Sequence, residues 1–217
     1  MIPLTRPYFS LNKASKISKA VESILLSGNL MMGQWTNKFE LDFSKKIGTK
    51  YSLTTNTCTT ALQIALQFFS IKGCEVLVPS GSFQTNISTI KWAGGKPVLV
   101  DMNPETLSFC LDDLQRKLTN KTKGIVWVHV TGIISKEYKK IVKFAKKNNL
   151  FLIEDCAHAH GSSIDNIQAG KIGDVGCFSF YPSKVMTTGT GGMLVKDNKK
   201  LAEFAMKMRL LGRNLKG

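Results

Sequence analysis

An apolar run ends in two acids at Phe151-Leu-Ile-Glu-Asp155, and further along the chain Ser179-Phe-Tyr-Pro-Ser-Lys184 leads into the glycine-rich stretch Thr187-Thr-Gly-Thr-Gly-Gly192. A carboxylate and an amine set in this way are the two groups that pyridoxal phosphate (PLP) chemistry requires. The amine condenses with the cofactor aldehyde as a Schiff base, and the carboxylate keeps the pyridine nitrogen protonated so that the ring acts as an electron sink. Lys184 and Asp155 are the candidates for these two roles.

Short β-rich runs alternate with helical patterns along most of the chain, which predicts an α/β domain with a mainly parallel sheet flanked by helices. The runs are Glu75-Val-Leu-Val78, Pro97-Val-Leu-Val-Asp101, Ile125-Val-Trp-Val-His-Val130, Phe151-Leu-Ile153, Val175-Gly-Cys-Phe-Ser179 and Gly192-Met-Leu-Val195. Helical periodicity covers 59–69, 85–93, 111–118 and 137–148. Ligands of open α/β sheets sit beyond the carboxyl ends of the strands, and Ser80, Asp101, His129 and Asp155 each follow an apolar run there. Asp101 reads as a turn or cap residue.

Composition narrows the classes. A chain of 217 residues makes one domain with a full core. The start lacks the basic-then-apolar pattern of a signal peptide, and no uninterrupted apolar run reaches the roughly 20 residues of a membrane span, so a soluble protein is expected, and the odd number of scattered cysteines argues against a disulfide framework and for a reduced, cytoplasmic chain. Cys58, Cys74, Cys110, Cys156 and Cys177 form no CxxC pair, and with His129, His158 and His160 they give no zinc spacing, so no metal is expected. The net charge is +15, and all but Arg6, Arg116, Arg209 and Arg213 of the 30 basic residues are lysines. The lysine-rich segments 136–147 and 196–207 read as solvated helix faces, with Ile141, Val142, Phe144 and Ala145 turned inward. No RNA-binding aromatic motif or helix-turn-helix signature accompanies the charge, so no nucleic-acid partner is expected.

Ordered blocks along the chain resemble the DegT/StrS family of PLP-dependent sugar aminotransferases, a branch of fold type I. They are the run at 2–7, Ser27-Gly28, Phe39-Glu40, Thr57-Cys-Thr-Thr-Ala-Leu62, Pro79-Ser80, Lys96-Pro-Val-Leu-Val-Asp101, Glu154-Asp-Cys-Ala-His-Ala-His-Gly161 and Gly173-Asp-Val-Gly-Cys-Phe-Ser-Phe-Tyr-Pro-Ser-Lys184. The resemblance implies the three-layer large domain of that fold. An N-terminal segment, 1–50, precedes a cofactor-binding core, 51–217, and the smaller C-terminal domain usual in the family is absent.

The resemblance also implies roles. Lys184 corresponds to the Schiff-base lysine that moves the proton, Asp155 to the partner of the pyridinium nitrogen, and His158 to the residue near the phenolic oxygen. Thr57, Cys58 and Thr59 correspond to the phosphate loop at a helix start, Ser179 to a second phosphate ligand, and Phe83 to the aromatic ring stacked on the pyridine; His160 is structural. At Cys58 the family has glycine, whose tolerance of positive φ suits a tight backbone approach. At Thr190 relatives often carry glutamate, a difference that bears on substrate contacts.

The activity implied is an aminotransferase that converts a nucleotide-linked keto sugar into an amino sugar with an amino acid donor, in a homodimer with sites between subunits. Three other readings stand beside it. A related PLP sugar dehydratase carries histidine at the lysine position, where this chain has Lys184; an inactive PLP-binding or interaction module, a remnant or half of a split enzyme, would bind cofactor without turnover; and a nucleic-acid binder would rest on charge alone.

Overall fold

The computed structural model describes residues 5–212; positions 2–4 of the family-like opening run and Arg213 lie outside them. Two helices, α1 (Leu11–Ser27) and α2 (Gln34–Ile47), precede β1 (Tyr51–Thr55), α3 (Cys58–Phe68), β2 (Glu75–Pro79), α4 (Gln84–Trp92) and β3 (Lys96–Val100). A small hairpin of β4 (Met102–Asn103) and β5 (Ser108–Phe109) leads to α5 (Leu111–Arg116), β6 (Thr122–Val128), α6 (Tyr138–Lys147) and β7 (Phe151–Asp155). A second hairpin, β8 (Ser163–Ile164) and β9 (Ile167–Gln168), is followed by β10 (Val175–Ser179), β11 (Gly192–Lys196) and α7 (Lys199–Arg209).

Seven strands form one sheet in the order β1-β11-β10-β7-β6-β2-β3. β3, β2, β6, β7 and β10 pair parallel, while β11 runs antiparallel to both β10 and β1. The mainly parallel sheet expected from the alternation of elements is therefore present, and the helix expectations fall within a few residues of α3, α4, α5 and α6. β1 escaped the sequence reading because Tyr-Ser-Leu-Thr-Thr is not an apolar run, and only its pairing with β11 makes it a strand.

Both faces of the sheet are covered, which is why its strands read as continuous apolar runs rather than as alternating ones. Along β6, Ile125 and Trp127 join Phe43, Leu77, Phe178 and Phe180 in one core layer, and Val126 points the other way to join Leu62, Ile64, Val76 and Ile153 under α3. Glu40 of α2 ties that helix to the sheet. Its carboxylate accepts from the Thr54 amide and hydroxyl (both 2.8 Å) and from Arg209 of α7. Helix α1, by contrast, buries no residue, and its Ile17, Val21 and Leu25 share an exposed stripe.

One expectation fails. Lys196, read as part of a solvated helix, is the last residue of β11 and is 2% exposed, with no hydrogen-bond partner for its amine. Helix α7 begins only at Lys199, because Asn198 caps it by accepting from the Leu201 amide (3.2 Å). Burial pushes the Lys196 amine down to about 7, slightly opposed by Cys177. Lys196→Met removes a buried polar group without a partner, and should raise stability by about 1–3 kcal/mol at neutral pH. The unfolded chain binds the Lys196 proton up to about pH 10 while the folded chain releases it near 7, so the wild type gains stability across that window. Urea titrations should accordingly show the gap between variant and wild type narrowing as pH rises from 7 to 10.

Candidate active site

The parallel strands all end on one edge of the sheet, and a cavity of about 470 Å³ lies there. Each wall comes from a different connection. The turn after β1 supplies Thr57, Cys58 and Thr59; the segment after β2 supplies Ser82 and Phe83; β6 and β7 supply His129, Asp155 and His158; and β10 with the loop beyond it supplies Ser179 and Lys184. Every residue expected at the site thus borders the same cavity, including the amine and the carboxylate that are remote in sequence.

Thr57 caps α3 with extended backbone, and its hydroxyl accepts from the Thr60 amide (3.1 Å). The amides of Cys58 and Thr59, in the first turn, have no upstream carbonyl to bond, so they and the positive end of the helix dipole favour an anion at this end of the cavity. Cys58 itself takes an ordinary helical conformation, so the glycine expected at this place is not required. The tight approach belongs instead to Gly192 at the start of β11. A Cβ there would lie 2.3 Å from the Thr57 carbonyl carbon and 2.5 Å from the Cys58 nitrogen.

Asp155 is 5% exposed. One carboxylate oxygen accepts from the Ala157 amide (3.0 Å) and, weakly, from the Cys58 thiol (4.0 Å); the other accepts from the Asn86 side-chain amide (2.9 Å). Burial first, and then the charge of Asp155, push the Cys58 thiol well up, so it stays a neutral donor. His158 is exposed, yet burial of part of its ring and the positive charge of Lys184 lower its proton affinity, with Asp155 opposing. Ser179 is 8% exposed and borders the cavity, and its hydroxyl accepts from the Tyr181 amide (3.4 Å). Phe83 stands just before α4, largely exposed at the rim, and Thr190 also borders the cavity. His160 does not border the cavity: it packs against Phe178 and Phe180, where burial takes it down to about 4.

Glu154 points to the opposite face of β7 and is fully buried. One of its oxygens accepts from the Ile172 and Gly173 amides (both 2.7 Å), the other from the Gly170 amide (2.9 Å) and from His129 Nε2 (2.8 Å). The ligand atoms of His129, Glu154 and Cys156 all lie within 4.8 Å of one another. With four donors filling its lone pairs, however, Glu154 has no acceptor capacity left for a cation.

Sequence reasoning missed Asn86. Its only signal was its place three residues after Phe83, in the first turn of the helix that Phe83 precedes. Gly192 was seen only as part of a glycine-rich run. The charge relation between His158 and Lys184 gives a direct check. Proton NMR of the ligand-free protein should show His158 titrating below the usual imidazole range, and Lys184→Met should raise its midpoint because a nearby positive charge is gone.

The chain matches the family model for the "DegT/DnrJ/EryC1/StrS aminotransferase family" over residues 12–217. It is 36% identical to a GDP-perosamine synthase of Escherichia coli O157:H7 over 201 residues, 92% of this chain and 54% of that protein. The solved aminotransferase from Psychrobacter cryohalolentis superposes with a TM-score of 0.90 at 34% identity, covering 98% of this chain and 54% of that one. A GDP-4-keto-6-deoxymannose-3-dehydratase solved with a trapped PLP-glutamate geminal diamine superposes at 0.87 with 27% identity, covering 98% and 55%. The chain therefore spans about half the length of the curated relatives it matches. With the family model covering nearly all its residues and the fold type I sheet beneath the cavity, this chain belongs to the DegT/DnrJ/EryC1/StrS aminotransferase family.

Proposed function

We propose that the chain holds pyridoxal phosphate at the carboxyl edge of its sheet and acts as an aminotransferase, converting a nucleotide-linked keto sugar into an amino sugar with an amino acid donor. The observation that carries the reading is the make-up of one cavity: an anion-favouring helix start and a hydroxyl, a buried carboxylate, a lysine amine and an aromatic ring at the rim. That donor set fits the cofactor group by group. The Cys58 and Thr59 amides, with the Thr57 turn and the Ser179 hydroxyl, would take the phosphate; Asp155 would meet the pyridine nitrogen; Phe83 would cover a ring face; and His158 would stand beside the phenolic oxygen.

When bound, PLP supplies an electron sink for the negative charge that develops at the donor's α-carbon. Lys184, which borders that cavity, would hold the cofactor through its aldehyde and would carry the proton taken from the donor's α-carbon. Asp155, oriented by the Asn86 side chain and the Ala157 amide, would fix the ring in place. The names of the relatives support a nucleotide-linked sugar as acceptor, and the net charge of +15 suits its diphosphate. The same reading places the protein in the cytoplasm as a homodimer, supported by five free cysteines and by the exposed Ile17-Val21-Leu25 stripe. Among the described residues no helix is long and apolar enough to cross a membrane.

The test is spectroscopic and chemical. Protein reconstituted with PLP should be yellow, should bleach on adding glutamate, and after borohydride reduction and digestion should carry the cofactor on the Lys184 peptide. Lys184→Ala should lose the visible band with unchanged circular dichroism, and slow amino transfer from glutamate by about 10²–10⁴-fold. A band that persists in the variant refutes the lysine assignment. A wild type that turns yellow but does not bleach with any amino donor favours a cofactor-binding module without turnover.

A further inference from the structure

The Asp155 carboxylate is buried, and few donors reach it. The Ala157 amide is backbone and would be offered by almost any sequence, and the Cys58 thiol, 4.0 Å away, is weak. The Asn86 amide, at 2.9 Å, is the strong side-chain donor. Asn86 is 0% exposed. Its orientation is dictated, because turning the amide over would set its oxygen against a carboxylate oxygen, acceptor against acceptor. The other end of the amide, Oδ1, is buried without a partner. Burying an unpaired carbonyl is unfavourable, and an apolar residue such as Ile90, one turn on in the same helix, fills such a place without that penalty. The amide is thus poorly explained by packing and well explained by what it donates to.

We infer that Asn86 is a positioning residue of this site: through its side-chain amide it orients the Asp155 carboxylate at the cavity to meet a protonated pyridine nitrogen. The inference rests on the reading of Asp155 as the ring-nitrogen partner. It also explains the construction of α4. The Asn86 amide nitrogen donates to the Phe83 carbonyl (3.0 Å), so one backbone hydrogen bond fixes the rim aromatic relative to the donor below it. A single helical turn thereby sets both the ring that would cover the cofactor face and the group that steadies the anion at its edge.

The titratable groups around Asp155 come from several elements: Cys58 on α3, Cys177 on β10, Cys156 next in the chain, and His158 and Lys184 at the cavity. Burial pushes the three thiols up, so they stay neutral and the charged neighbours are Lys184 and, when protonated, His158.

Two variants of the full chain test the inference, with two readouts. In the cofactor-free protein, the carboxyl carbon signal of Asp155, assigned against Asp155→Asn, is followed by NMR as a function of pH; PLP retention is measured separately by absorbance. Asn86→Leu keeps the branched heavy-atom shape of the side chain and removes the donor. Its Asp155 signal should titrate at higher pH than in the parent, and PLP affinity should fall about tenfold, the loss of one charge-assisted hydrogen bond. Asn86→Asp sets a second carboxylate against the first, so the pair shares a proton and the upward shift should exceed that of Asn86→Leu. Unchanged Asp155 titration in a folded Asn86→Leu protein overturns the inference, and if that variant does not fold, unchanged titration in Asn86→Asp does so. A parent that takes up no PLP, while its Asp155 signal still moves in the variants, overturns the cofactor reading and upholds the Asn86–Asp155 contact.

Discussion

Two consecutive acids, Glu154 and Asp155, close a strand that is buried along its whole length. A β-strand turns successive side chains to opposite faces, so the two carboxylates need donors from two separate layers of the fold. A buried carboxylate left without donors costs several kcal/mol, so the packing on both sides of β7 is organised to supply them. On one face Glu154 gathers three amides of the segment that follows the β8–β9 hairpin, together with His129 at the end of β6. On the other face Asp155 draws in the first turns of α3 and α4.

The division of labour follows from that. The Glu154 side is closed: its acceptor capacity is full, and it locks the segment joining β9 to β10 onto the sheet. Because β10 pairs in register with β7, Val175 to Ile153 and Cys177 to Asp155, a lock on that segment also fixes where Ser179 emerges and where the loop carrying Lys184 begins. The Asp155 side borders the cavity, and its anchors are the helices whose N-terminal turns form the cavity wall. A charge that has to be satisfied thus becomes the means by which separate connections are brought to one place.

Strand direction supplies the rest. All parallel strands deliver their following residues to the same edge, and the single antiparallel strand of the sheet, β11, starts where the others end. Its first residue, Gly192, lies against the Thr57–Cys58 turn, so closeness between the last strand and the first helix of the sheet depends on the absence of one methyl group. This is why cysteine is tolerated at position 58: the steric demand belongs to the strand facing the turn, and not to the helix start.

The sequence by itself determined the class of fold, the edge of the sheet where the site lies and most of the cavity wall, because these follow from local patterns. Apolar runs of strand length alternating with helical periodicity produce a parallel sheet, and polar residues after such runs, among them Asp155 and Ser179, lie at its carboxyl edge. The lysine and the acid were legible as residue types with motif context. Tertiary structure alone decided the rest. Asn86 looked like any polar residue of an amphipathic helix until folding brought it within hydrogen-bond reach of Asp155 at the end of β7, and Gly192 looked like loop punctuation until a turn more than 130 positions earlier was packed against it. Lys196 read as a solvated lysine, and only the pairing of β11 with β1 drew it inside. In each case the deciding neighbour is distant in the chain, and a single sequence carries no signal for which remote residue will end up a few ångströms away.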